Sequence, residues 1–71
     1  MPKGSGRPVI GDKEARILAA AVRVFARHGY HGSSMAVVAR EAGVATGTTY
    51  LYFHRKQDLL VTLFRRHLTD H

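Results

Sequence analysis

The amino-acid sequence predicts an all-α fold, a bundle of three helices followed by the start of a fourth, and three observations lead there. Apolar residues recur at three- and four-residue steps in four separate stretches, the period of a helix with one buried face. Gly29 and Gly43 stand where two of these stretches stop, at the place where a left-handed residue closes a helix. At 71 residues the chain has room for one domain with a modest core.

Residues 1–11, MPKGSGRPVIG, are rich in Gly and Pro, carry Lys3 and Arg7 with no acid, and lack periodicity, so a flexible basic arm is expected. Asp12 is the expected N-cap of the first helix, and Glu14 suits the positive end of its dipole. Ile17, Leu18, Ala21, Val24 and Phe25 form the apolar stripe, with Arg16, Arg23 and Arg27 alternating with it. His28 occupies the last turn, Gly29 stops the helix, and Tyr30 is expected to fold back onto the apolar face. Ser33 or Ser34 can cap a second, short helix in which Met35, Val38, Ala39 and Ala42 face one way. Gly43 ends it, Val44 is an apolar plug, and a third helix starts near Thr46 and runs through Tyr50 and Phe53. After His54, Arg55 and Lys56, the residues Leu59, Leu60, Leu63, Phe64 and Leu68 mark a fourth helix, still apolar near the last residue. The expected organisation is an arm at 1–11, a three-helix unit at 12–54, and at 55–71 the start of a helix leading into a further domain.

Eleven Lys and Arg stand against five Asp and Glu, a formal charge of +6, which favours a polyanionic partner such as nucleic acid or an acidic membrane face. A chain this small has little room for a substrate pocket beside its core, which argues against an enzyme. The absence of Cys excludes disulfides and thiolate metal sites. His28, His31, His54, His67 and His71 are scattered and form no metal-ligand pattern, so neither a metal nor a cofactor is expected. No Ser-His-Asp set is present, and Gly4 and Gly6 precede no apolar strand that would make them a phosphate loop. No apolar run approaches the roughly 18 residues of a membrane span, and the first eleven residues lack the apolar core of a signal peptide, so a soluble, cytoplasmic protein is expected.

Met35 to Phe53 is the most informative stretch, because its spacing is that of a helix-turn-helix. Taking Gly43 as reference, Ala39 four residues earlier is small, Val44 one residue later can fill the corner, and Val38 and Ala42 complete the buried side. A third helix so placed presents its first turn outward, where a major groove about 12 Å wide can receive it. Thr46, Gly47 and Thr48 would then meet base edges. Gly47 costs about 1 kcal/mol relative to Ala inside a helix, and a position that tolerates this lets a backbone approach something closely. Tyr50, Tyr52, His54, Arg55 and Lys56 offer hydroxyls and charges suited to a phosphate backbone, although half-buried core is the competing reading for at least one tyrosine.

The run GYHGSSMAVVAREAGVATGTTYLYFHRKQDLL closely resembles the TetR pattern of a Gly-aromatic turn, a Ser or Thr pair, an Ala-Gly-Val corner, a Gly-Thr-x-Tyr helix and a Phe-x-x-Lys-x-x-Leu-Leu junction. The likeness runs from residue 16 to 64 without a gap. It implies a three-helix, homeodomain-like bundle whose helices 2 and 3 form the helix-turn-helix of a sequence-specific, double-stranded DNA binder, probing base edges with Ala45, Thr46, Gly47, Thr48 and Leu51. Ser34, Met35, Tyr50, Tyr52, His54 and Lys56 would lie at phosphates. The resemblance further implies a homodimeric repressor acting at a palindromic operator, with dimerisation and a small-molecule effector site in a C-terminal domain outside this chain. The stretch GTTYLYFHRKQDLLVTLF is similar to fatty-acid-responsive members, which implies an acyl-CoA effector. Three positions depart from the pattern. Ala45 replaces the usual capping Ser, Thr49 stands where an apolar residue is usual, and Arg55 replaces a Ser or Asn cap.

The arm carries Gly6-Arg7-Pro8, like the core of short minor-groove-binding segments, and Lys3 and Arg7 are its candidate contacts; a solvated tail is the alternative. Two rival functions remain. A small protein-interaction module would dock an acidic partner on its basic surface. A membrane-surface helix would use Arg65, Arg66 and His67 around Leu63, Phe64 and Leu68, although that stripe also suits core shared with a further domain, and no membrane partner is expected.

Overall fold

The computed structural model describes residues 10–69, which fold as α1 (Ile10–His28), α2 (Met35–Ala42), α3 (Thr46–Tyr52) and α4 (Lys56–Thr69), all-α among the described residues. Helix α1 begins two residues ahead of Asp12, so Asp12 lies inside its first turn and is not its cap. The arm residues Lys3 and Arg7 lie outside the described residues.

The α1 stripe packs as its spacing requires. Ile17, Leu18, Ala20, Ala21 and Val24 are buried and meet Met35, Val38 and Ala42 of α2, with Phe53 and Leu59 closing the cluster from beyond α3. Leu59 is fully buried and fastens the start of α4 to the bundle; truncating such a residue to Ala costs about 2–5 kcal/mol. Gly29 ends α1 at φ +78°, its N–H donating to the Phe25 carbonyl at 2.8 Å. The chain then reverses, and the Tyr30 ring meets Phe25 edge-on at 5.4 Å.

The two serines divide the work at the next helix start. Ser34 adopts the extended N-cap conformation and its Oγ accepts the Val37 N–H at 3.2 Å. Ser33 is buried and donates to the Gly29 carbonyl at 2.6 Å, holding the turn between α1 and α2. At the start of α4, where Arg55 offers no capping oxygen, Asp58 accepts the Arg55 backbone N–H at 3.2 Å, the returning half of a capping box.

The cations that alternate with the α1 stripe tie α1 to α2. Arg23 Nε and Arg27 Nη2 meet the two carboxylate oxygens of Glu41 at 2.8 and 2.9 Å. Their hydrogen bonds, Arg23 first and then Arg27, hold the Glu41 carboxyl below the usual glutamate range. Arg23 and Arg27 are therefore engaged inside the molecule, and the excess of six positive charges that is left after every acid is counted still stands.

Candidate nucleic-acid interface

The corner between α2 and α3 follows from Gly43. At φ +76° it is left-handed, its N–H donates to the Arg40 carbonyl at 3.1 Å, and the next N–H, from Val44, donates to the Ala39 carbonyl at 3.0 Å. This pair of bonds is a Schellman ending, and it turns the chain within three residues. Val44 packs against the core, as a corner plug should.

Helix α3 then runs for seven residues with Ala45 at its N-cap and no side chain bonded to its first N–H groups. Its inward hold is Thr49, fully buried, whose Oγ1 has no hydrogen-bond partner. A threonine at this core position keeps the volume of valine but strands a hydroxyl. The opposite side is open: Ala45, Thr46 and Gly47 are exposed, Thr48 is half-buried, and Leu51 is 80% exposed. A Cβ built on Gly47 would meet nothing within 4 Å, and its φ is not in the positive region. The fold therefore has no need of glycine there.

The residues expected at phosphates fall into three groups. Ser34, Tyr50 and His54 are exposed, Tyr50 by 45%. Tyr52 is half-buried and packed on the core. Met35 and Lys56 differ from expectation. The Met35 side chain is buried in the core. Lys56 Nζ donates to the carbonyls of Tyr30 at 2.7 Å and Ser33 at 3.1 Å, so at most one of its three N–H groups is available to an external anion.

Sequence reasoning missed the fastenings that hold this surface. Arg16 of α1 donates through Nη2 to the Ala42 carbonyl at 2.9 Å, and Lys56 reaches back across 26 and 23 residues. The signal available was an Arg and a Lys close to apolar stripes, which by itself reads as a solvated face.

On α4, Leu60, Val61 and Phe64 are exposed, Phe64 by 67%, and with Arg65 they line an open hollow of about 450 Å³. Among the described residues, no group of three or more His, Asp or Glu could hold a metal ion, and no helix is long and apolar enough to cross a membrane.

Comparison with known proteins agrees with this geometry. The family described as "Bacterial regulatory proteins, tetR family" matches residues 17–63. The fatty acid metabolism regulator protein of Bacillus subtilis (strain 168) is 51% identical over 53 residues, 75% of this chain and 27% of that protein. The HTH-type transcriptional regulator HbdR of Aromatoleum sp. (strain CIB) is 36% identical over 52 residues, 73% of this chain and 23% of that one. The solved structure of the fatty acid degradation regulator FadR from Bacillus halodurans superposes with a TM-score of 0.80 at 41% identity, covering 99% of this chain and 33% of that one. The chain thus spans between about a quarter and a third of the length of these relatives. With the Gly43 corner, the outward first turn of α3 and this kinship in agreement, the chain belongs to the tetR family of bacterial regulatory proteins, as the helix-turn-helix DNA-binding domain of a transcriptional regulator.

Proposed function

We propose that this domain is one head of a homodimeric, ligand-responsive repressor that occupies a palindromic operator in the cytoplasm, with a recognition helix in each of two successive major grooves. In this reading Ala45, Thr46, Gly47, Thr48 and Leu51 lie at base edges. Ser34, Tyr50, Tyr52, His54, the Met35 amide and the remaining Lys56 N–H lie at phosphates. The observation that carries it is Gly47, a glycine on the exposed first turn of α3 that neither backbone conformation nor internal packing requires. A closely approaching base edge or phosphate supplies the missing reason.

The rest of the assembly would come from sequence beyond this chain. It would cover the apolar face of Leu60, Val61 and Phe64, provide the dimer contact and bind the effector. The names of two relatives, a fatty acid metabolism regulator and a fatty acid degradation regulator, support an acyl-CoA in that role. Lys3 and Arg7 would enter an adjacent minor groove, where a narrow A·T-rich groove strengthens the attraction for arginine.

Selecting duplexes from a random pool with this chain tests the proposal. The expected result is enrichment of a half-site or palindrome, bound with an affinity that falls steeply with salt, close to one unit of log-log slope per phosphate contact. No enrichment, or an affinity indifferent to salt, overturns it and favours a protein-interaction module.

A further inference from the structure

The end of α2 leaves more carbonyls than its own turn can satisfy. The Schellman bonds use those of Ala39 and Arg40, while no backbone N–H of the turn is bonded to the Ala42 and Gly43 carbonyls at the corner itself. Both receive Arg16. Its Nη2 donates to the Ala42 carbonyl at 2.9 Å and lies 3.4 Å from that of Gly43, bridging 26 and 27 residues of sequence. A Cβ on Gly43 would lie 3.2 Å from Arg16 Nη2, so a side chain there would crowd the guanidinium. The lack of a side chain at Gly43 thus serves both the left-handed turn and the seat of the arginine.

Helix α3 has little else to fix its direction. Seven residues are too few for a helix to be stable alone, its N-cap Ala45 contributes no side-chain bond, and Thr49 is its one fully buried residue. Besides Tyr52, half-buried against the core, its pose depends on what holds its two ends, Phe53 in the core on one side and the Gly43 corner with Val44 on the other.

We propose that Arg16 is a positioning residue for DNA recognition: a guanidinium on α1 that clamps the α2–α3 corner and so sets the angle at which Thr46, Gly47 and Thr48 are presented. It acts through the corner carbonyls and not by touching phosphate. The proposal rests on the DNA-binding reading for its purpose, though the clamp itself can be tested without DNA.

The experiment uses the 71-residue chain and two variants. Arg16→Met keeps an aliphatic stem and removes every donor; Arg16→Lys keeps the charge and an N–H donor but loses the planar guanidinium that presents Nη2 to the two carbonyls. Amide hydrogen exchange is read residue by residue, and binding is measured to a random-sequence duplex and to the duplex that the wild-type chain enriches from a random pool. For Arg16→Met, the Thr49 and Phe53 amides should exchange about tenfold faster while those of Ile17 to Val24 keep their rates. Affinity for the enriched duplex should fall about tenfold, with the salt slope unchanged and binding to the random duplex little altered, because no phosphate contact is lost. Arg16→Lys should recover part of both effects.

Equal acceleration of exchange in all four helices would overturn the proposal in favour of a general stabiliser. A salt slope lowered by about one unit would reassign Arg16 to a phosphate. Wild-type behaviour of both variants would also overturn it. If the wild-type chain enriches no duplex, the DNA reading fails by itself, and the exchange pattern still decides whether Arg16 holds α3.

Discussion

Lys56 places its ammonium 4.4 Å above the ring of Tyr30 while donating at 2.7 Å to that residue's own carbonyl. The first residue of α4 is therefore bolted to the turn between α1 and α2, next to the Ser34 cap. Lys56→Met removes two charge-assisted hydrogen bonds and a cation–π contact, a loss of about 1–2 kcal/mol. A thermal melt should show Tm lower by roughly 5–10 °C for a chain of this size. An unchanged Tm would mean that the ammonium's bonds to water are as good as those to the two carbonyls.

Gly47 should separate folding from binding. Because a Cβ there meets nothing within 4 Å, Gly47→Ala is expected to stabilise the chain by up to about 1 kcal/mol through helix propensity. The same variant should bind its selected duplex more weakly, and a bulkier replacement should abolish binding with helicity intact. Chemical denaturation and a binding isotherm on the same samples check both signs. Undiminished affinity in the bulky variant would remove α3 from the interface.

Thr49 carries a buried hydroxyl with no partner, and valine has nearly its shape. Thr49→Val removes an unsatisfied polar group, so the urea midpoint should rise by an amount corresponding to about 1 kcal/mol. A lower midpoint would show that the hydroxyl finds a bond in solution.

Glu41 gives the fold an acid-sensitive link. Its pKa is lowered in the folded chain, first by the Arg23 hydrogen bond and then by that of Arg27, so the unfolded chain takes up the proton more readily. The contribution is whole above the unfolded glutamate pKa and is lost as pH falls through the lowered folded one. Wild type and Glu41→Gln should differ in stability at neutral pH and converge in acid. The gap should be modest and shrink with added salt, since both arginines are about half exposed. A gap that is constant from neutral to acid pH would exclude the ion pair as its source.

Local features of the fold could be read directly. Gly29 with Tyr30, a serine cap that the spacing left between Ser33 and Ser34, the eight-residue span of α2 and the Gly43 corner each depend on a few neighbouring residues. The start of α1 could not be read, because a helix extends past a good capping residue when the preceding chain can also adopt the helical conformation. The spacing put Met35 on one face with Val38, Ala39 and Ala42, and its side chain is buried with theirs; the phosphate role came from the resemblance and not from the pattern. Lys56, Arg16 and the Arg23–Glu41–Arg27 set are contacts across 14 to 27 residues, which no local period records. Asp58 accepts the Arg55 N–H from three residues on, the returning half of a capping box whose signature here lacked its usual Ser or Thr partner.

The emptiness above Gly47 has a bearing on how such a protein can change. Since the interior's stake in α3 lies with Thr49, Tyr52 and Phe53 just after it, residues on the outer turn can be exchanged with little disturbance to the scaffold. New target sequences are then reachable by single steps that leave folding almost neutral, and one bundle can be reissued to many different genes.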